Sequence, residues 1–285
     1  MTGLRVRHVV VNGVSSPVSF GGPGDHPDPR EAVVFVHGNP DAGGDWEPLM
    51  TRVAEFATVV APDMPGFGGA DKRPDQDYTV AGYAAHLAGI VDQLGIQRVH
   101  LVAHDFGGPF ALTWAAAHPD RLASLTLINT GVLLEYRWHR MAKVWRTPLV
   151  GELVQLLATP RATRALLRHD NPGLPDVWVN RIAGHAAPRA TKQVILRLYR
   201  STRQEHIDAL AEPLRKRDPD TLVVWGDADV YLPVALAHKQ HRVFPRARVE
   251  ILPGVGHWAW LEQPERVAEL AVPFLRERVG ELAEA

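Results

Sequence analysis

The sequence contains no cysteine, which removes disulfide staples, thiolate zinc sites, iron–sulfur clusters and a thiol nucleophile together. Any nucleophile must be oxygen or nitrogen. Charge of one sign is also missing, since 31 Lys and Arg face 32 Asp and Glu for a formal net charge of −1. That balance gives no overall drive toward nucleic acid or anionic lipid, and neither is expected as a partner. No apolar run approaches the ~20 residues of a membrane span, and the opening MTGLRVRHVVVNG has none long enough for a secretory h-region. A cytoplasmic, unanchored protein is expected. Fourteen histidines are present, yet none falls into H-E-x-x-H or a similar paired-ligand pattern, so no metal and no cofactor is expected.

What is present is a chain of 285 residues, 46% hydrophobic, long enough for a large core. Two β-rich stretches, LRVRHVVVNG and SPVSF, read as an edge hairpin and are followed by the Gly/Pro-rich connector GGPGDHPDPR. Then strand-like runs alternate with helical patterns: AVVFV, a helix over 46–56, TVVAPD, a helix over 78–94 stopped by Gly95, RVHLVAH, an Ala-rich helix over 107–118, and LASLTLIN. Such alternation predicts a mostly parallel sheet with helices on both faces. From 130 to 214 only amphipathic helical patterns occur, after which TLVVWGD, RVEILPG and a helix over 264–282 resume the alternation. The expected organisation is a core domain, 1–129 with 215–285, interrupted by a helical cap, 130–214.

The segment Ala103-His104-Asp105-Phe106-Gly107-Gly108 joins a strand to a helix. A sharp turn there brings backbones close together, so the small residues answer a steric need, and Asp105 stands at its apex beside a helix N-terminus. Together with HGNP, DMPGFGGADK, WGDAD and PGVGHW in that order, this segment resembles the nucleophile elbow of the α/β-hydrolase superfamily, and the resemblance covers essentially the whole chain. It implies an α/β-hydrolase fold, a doubly wound, mostly parallel sheet with an inserted cap. It further implies Asp105 as nucleophile, Asp229 of WGDAD as the acid and His257 of GVGHW as the base. Asp227 competes with Asp229, but the G-x-x-D spacing from Gly226 favours Asp229.

An Asp at the elbow changes the chemistry. Its carboxylate is ionised at neutral pH, so it needs no base and can attack an sp³ carbon directly. The resulting ester must be hydrolysed by water activated at His257, with backbone N–H groups of Phe106 and Asn39 expected to hold the oxyanion. Within the superfamily the resemblance narrows to epoxide hydrolases and haloalkane dehalogenases. Dehalogenases typically hold the halide with a Trp after the nucleophile, and often with the Asn of HGNP. This chain has Asn39 but Phe106, which offers no polar donor. Tyr199 in LRLYRST resembles the cap tyrosine that protonates an opening epoxide, whereas the second tyrosine of that pair has no clear counterpart. Tyr136, His139, His169 and His185 are the candidates to replace it.

The leading expectation is therefore an epoxide hydrolase with Asp105, Asp229, His257 and Tyr199 catalytic and Asn39 and Phe106 lining the substrate site. A haloalkane dehalogenase is the alternative, and a catalytically silent ligand-binding protein of this fold would require a missing triad member. Small apolar substrate and water are the expected partners, in a monomer or homodimer. His37 and His104 read as loop braces, and Trp138, Trp145, Trp178 and Trp258 as packing residues.

Overall fold

Short β-branched runs separated by helices build one eight-stranded sheet of order β1-β2-β4-β3-β5-β6-β7-β8. The computed structural model describes residues 3–24 and 30–280, so part of the Gly/Pro connector lies outside the described residues. Strands β1 (Arg5–Val11) and β2 (Val14–Gly21) form an antiparallel hairpin at the sheet edge. Its two turn residues, Asn12 and Gly13, have φ of 49° and 77°, the signs that a tight two-residue hairpin turn needs.

Strand β2 is antiparallel to β4 (Thr58–Pro62), while β3 (Glu31–Val36), β4, β5 (Arg98–His104), β6 (Leu122–Ile128), β7 (Asp220–Gly226) and β8 (Arg248–Leu252) pair in parallel. Central strands covered on both faces must be apolar throughout. Accordingly Val34, Val36, Leu101 and Ala103 pack into one core with Leu87, Phe110 and Trp114, whereas Val33, Phe35 and Val102 pack into a second with Trp46, Met50 and Trp260. The first core is closed by α2 (Val80–Gln93) and α3 (Gly107–Ala117), the second by α1 (Glu47–Val53) and the helix Pro264–Arg276. Helix α1 ends short of the expected residue 56, because the Phe56 and Ala57 amides turn back onto the Val53 carbonyl to feed β4.

Between β6 and β7 come α4 (Arg140–Arg146), α5 (Val150–Leu157), α6 (Pro160–Asp170), α7 (Asp176–His185), α8 (Arg189–Ser201), α9 (Gln204–Asp208) and α10 (Ala211–Arg217). Residue 214, the expected end of the cap, falls inside α10, which packs on α3 of the core.

Candidate active site

Asp105 sits in the turn from β5 into α3 with φ of +47°, a conformation that costs a non-glycine residue roughly 1–2 kcal/mol. Close packing around it holds the strain. A Cβ on Gly107 would lie 2.1 Å from the Val36 carbonyl oxygen, and one on Gly108 would lie 2.0 Å from Thr130 Oγ1, so both positions exclude any side chain. The Thr130 hydroxyl in turn donates to the Asp105 carbonyl at 2.7 Å. One carboxylate oxygen, Oδ2, accepts a 2.9 Å bond from the Asn39 amide in the loop after β3. The other, Oδ1, is 3.9 Å from His257 Nε2.

Asp229 follows β7 and His257 follows β8. His257 Nδ1 donates to Asp229 Oδ2 at 2.7 Å, which leaves Nε2 turned toward Asp105. Asp229 is fixed from three further sides: its Oδ1 accepts from the Tyr231 and Leu232 amides at 2.8 and 2.9 Å, and its Oδ2 from Asn129 Nδ2 at 2.8 Å. Burial works against its charge, but His257 and these donors outweigh burial and hold its carboxyl below the usual range. The competing Asp227 is exposed and merely braces a turn, accepting from the Gly254 amide at 2.7 Å.

Burial alone would lower the His257 pKa, but Asp229, through its charge and hydrogen bond, together with Asp105 and Asp41, raises it to about 9. A group whose pKa is raised on folding stabilises the fold fully below its unfolded value and loses that contribution as pH climbs through the folded value. The stability difference between the native protein and His257→Gln should therefore shrink from pH 6.5 to about 9, as read by chemical denaturation across that range. A pH-independent difference would remove the buried ion pair.

Over these three residues lies a cavity of about 660 Å³, walled by the cap and lined mainly by apolar and aromatic side chains. Tyr199 of α8 lines it, is buried, and accepts a 3.4 Å bond from Asn39 Nδ2. Its ring meets the Phe106 ring edge-on at 4.9 Å. Burial, then the Asp105 charge, pushes the Tyr199 phenol well above its ordinary range, so it stays protonated as a donor. His139 caps α4, with Nδ1 accepting from the Ala142 amide at 3.3 Å. Burial and then the His257 charge lower its pKa to about 4. At neutral pH its single ring proton is therefore on Nε2, as a neutral donor in the cavity wall.

The remaining cap candidates differ in position. Tyr136 lines the cavity, but its hydroxyl donates to the Tyr231 carbonyl at 3.3 Å. His169 reaches the cavity with 86% of its side chain in solvent, paired with Asp170. His185 is not at the site: its ring pairs with Asp45 and does not line the cavity. Sequence reasoning also left out Trp138, Trp145 and Trp258, which line the cavity, Asn129 and Tyr231, which bond the Asp229 carboxylate, and Thr130, which bonds the Asp105 backbone carbonyl.

A family model described as alpha/beta hydrolase fold matches residues 31–264. The chain belongs to the α/β-hydrolase family. Among its curated relatives is 2-hydroxymuconate semialdehyde hydrolase of Pseudomonas putida, 28% identical over 256 residues that span 86% of this chain and 87% of that one. A serine hydrolase involved in carbazole degradation superposes with a TM-score of 0.76 at 25% identity, over 97% of this chain and all of its own. A Vigna radiata epoxide hydrolase mutant superposes with a TM-score of 0.80 at 18% identity, over 96% and 99% of the two chains. This last likeness shows the fold.

In this α/β hydrolase a second buried carboxylate, Asp41, lies behind His257 through His104. The ring nitrogens of His104 lie 3.2 Å from Asp41 Oδ2 and 3.0 Å from the His257 carbonyl. Asp41 also takes the Trp258 indole N–H at 2.9 Å. Burial opposes its charge, yet His104 holds its carboxyl below the usual range. His37 braces the neighbouring loop, donating from Nδ1 to the Gly38 carbonyl at 2.8 Å and accepting the Met64 amide on Nε2 at 2.9 Å.

Proposed function

We propose that this α/β hydrolase opens epoxides through a covalent aspartyl ester and releases vicinal diols. The observation that carries the reading is the shared cavity wall of Asp105 and the protonated phenol of Tyr199, linked through Asn39. Asp105 Oδ1, free of the Asn39 amide, attacks the ring carbon as the ring C–O bond breaks. The departing oxygen stays attached to the substrate as an alkoxide and takes its proton from Tyr199, with the His139 Nε2–H as the second donor.

Oδ2 then becomes the ester carbonyl oxygen, already seated on the Asn39 amide where the tetrahedral oxyanion develops. Esterification also removes the Asp105 charge, one of the causes that raise the His257 pKa. Losing that charge lowers the His257 pKa, so more of the imidazole is in the neutral form that can accept a proton once the ester exists. His257 takes a proton from water as the hydroxide adds to the carbonyl carbon. Collapse breaks the ester C–O bond, His257 returns that proton to the departing alkoxide to complete the diol, and the proton left on the Asp105 carboxyl restores the Tyr199 phenol.

The 2-hydroxymuconate semialdehyde hydrolysis named for the Pseudomonas putida relative fits this site less well. A carboxylate that attacks a carbonyl forms a reactive anhydride, whereas one that attacks an sp³ carbon forms a stable ester. Halide displacement would use the same ester, and Asn39 favours it as a second reading. Phe106 opposes it, because an anion short of one donor in a buried site loses roughly 1–3 kcal/mol, one to two powers of ten in rate.

A panel of epoxides and haloalkanes, assayed for diol and halide release, tests the proposal. Diols are expected, and efficient halide release without diol would reverse the ranking. Tyr199→Phe keeps the ring and removes the donor, so it should slow alkylation ~10²-fold or more while leaving stability and ester hydrolysis little changed. Alkylation at the native rate would return Tyr199 to a packing role.

A further inference from the structure

The near-zero net charge conceals a segregation. Residues 130–214 carry thirteen Lys and Arg against seven Asp and Glu, while the rest of the chain carries eighteen against twenty-five. The cap is thus positive and the core negative. On this positive cap α5 turns an apolar face to solvent. Leu149, Leu153, Leu156 and Leu157 stand at i, i+4, i+7 and i+8, one face of a helix, and Leu149, Leu156 and Leu157 are 82%, 77% and 66% exposed.

Leu149 has φ of +67°. A leucine pays for that conformation and here recovers nothing through burial. The one acidic residue on α5, Glu152, is neutralised by Arg200, whose guanidinium reaches both carboxylate oxygens at 2.6 and 2.7 Å. Nearby cations are unspent: Lys143, Arg161 and Arg164 have no acidic partner among the described residues. Two residues separate the end of α5 from the start of α6, which carries Arg161 and Arg164.

The opposite side of the same helix is the cavity wall, where Val154 and Gln155 line the space above Asp105. A single helix, ~10–12 Å across with its side chains, separates the exposed leucines from the active site. We infer that the outer face of α5, with the free basic residues of α4 and α6, docks this protein on an anionic lipid surface, from which apolar substrate enters the cavity beneath.

Leucines flanked by Lys and Arg suit the acyl boundary and headgroups of such a surface. No helix among the described residues is long and apolar enough to cross a membrane, so the contact is peripheral. The inference does not depend on which bond the site cleaves.

Co-sedimentation with phosphatidylcholine vesicles, with and without ~30% phosphatidylglycerol, tests it. Binding should be at least ~10-fold stronger to the anionic vesicles and weaken with salt. L156E/L157E and R161E/R164E should each weaken it ~10-fold or more while keeping the native melting temperature, because all four side chains lie outside the cavity lining. Absence of binding, or equal binding to both vesicles, overturns the proposal. So does a dimer in sedimentation velocity that L156E/L157E converts to monomer, since a second copy would then cover the face.

Discussion

Replacing His257 with Gln is expected to stop turnover yet leave the first chemical step intact, so that incubation with an epoxide raises the intact mass by one substrate equivalent. The reason lies in the division of labour at Asp105. Its Oδ1 is 3.9 Å from His257 Nε2, beyond hydrogen-bond distance, and an ionised carboxylate needs no base to attack. Only ester hydrolysis needs a proton acceptor, and losing a general base costs roughly 10²–10⁴ in rate. A haloalkane would add its mass less the halide, so the same spectrum separates the two chemistries. If no epoxide or haloalkane shifts the mass of a folded His257→Gln protein, the covalent mechanism is wrong.

The elements and their order were legible because each rests on a local signal. Buried parallel strands show as unbroken apolar runs such as AVVFV, and the elbow shows as glycines that admit no Cβ. Loop spacing set Asp229 apart from Asp227, and of the two it is Asp229 that bonds His257, at 2.7 Å. Residues that act through long-range contacts gave no such signal. Asn129 bonds a carboxylate 100 positions away, and Thr130 reaches the Asp105 carbonyl only because β5 and β6 are neighbours in the sheet.

Cap residues were hardest to place, for a related reason. Amphipathic spacing tells which face of a helix is apolar, but a helix between a cavity and solvent can be apolar on both. Helix α5 is such a case, with Val154 on the cavity and Leu153 and Leu156 in solvent. His139 and His185 look alike in sequence, yet one faces the cavity and the other pairs with Asp45. The tryptophans show the same limit: Trp138 stacks toward Phe106 at 6.4 Å and lines the cavity, a role that composition does not distinguish from core packing.

Asp105→Asn should remove activity down to the uncatalysed background, with no covalent adduct in the intact mass and no loss of stability. The substitution preserves shape, and Asn tolerates the left-handed conformation that φ of +47° demands. Its amide oxygen can still accept from the Asn39 amide, so the 2.9 Å contact that seats Asp105 need not break. What disappears is the anionic nucleophile. Removing that charge also takes away one cause of the raised His257 pKa, so the imidazole should titrate below about 9 in the variant, as NMR of its ring protons would show. A purely structural Asp105 predicts the reverse pattern, a lower melting temperature with turnover retained, and either turnover or an adduct in Asp105→Asn would exclude it as the nucleophile.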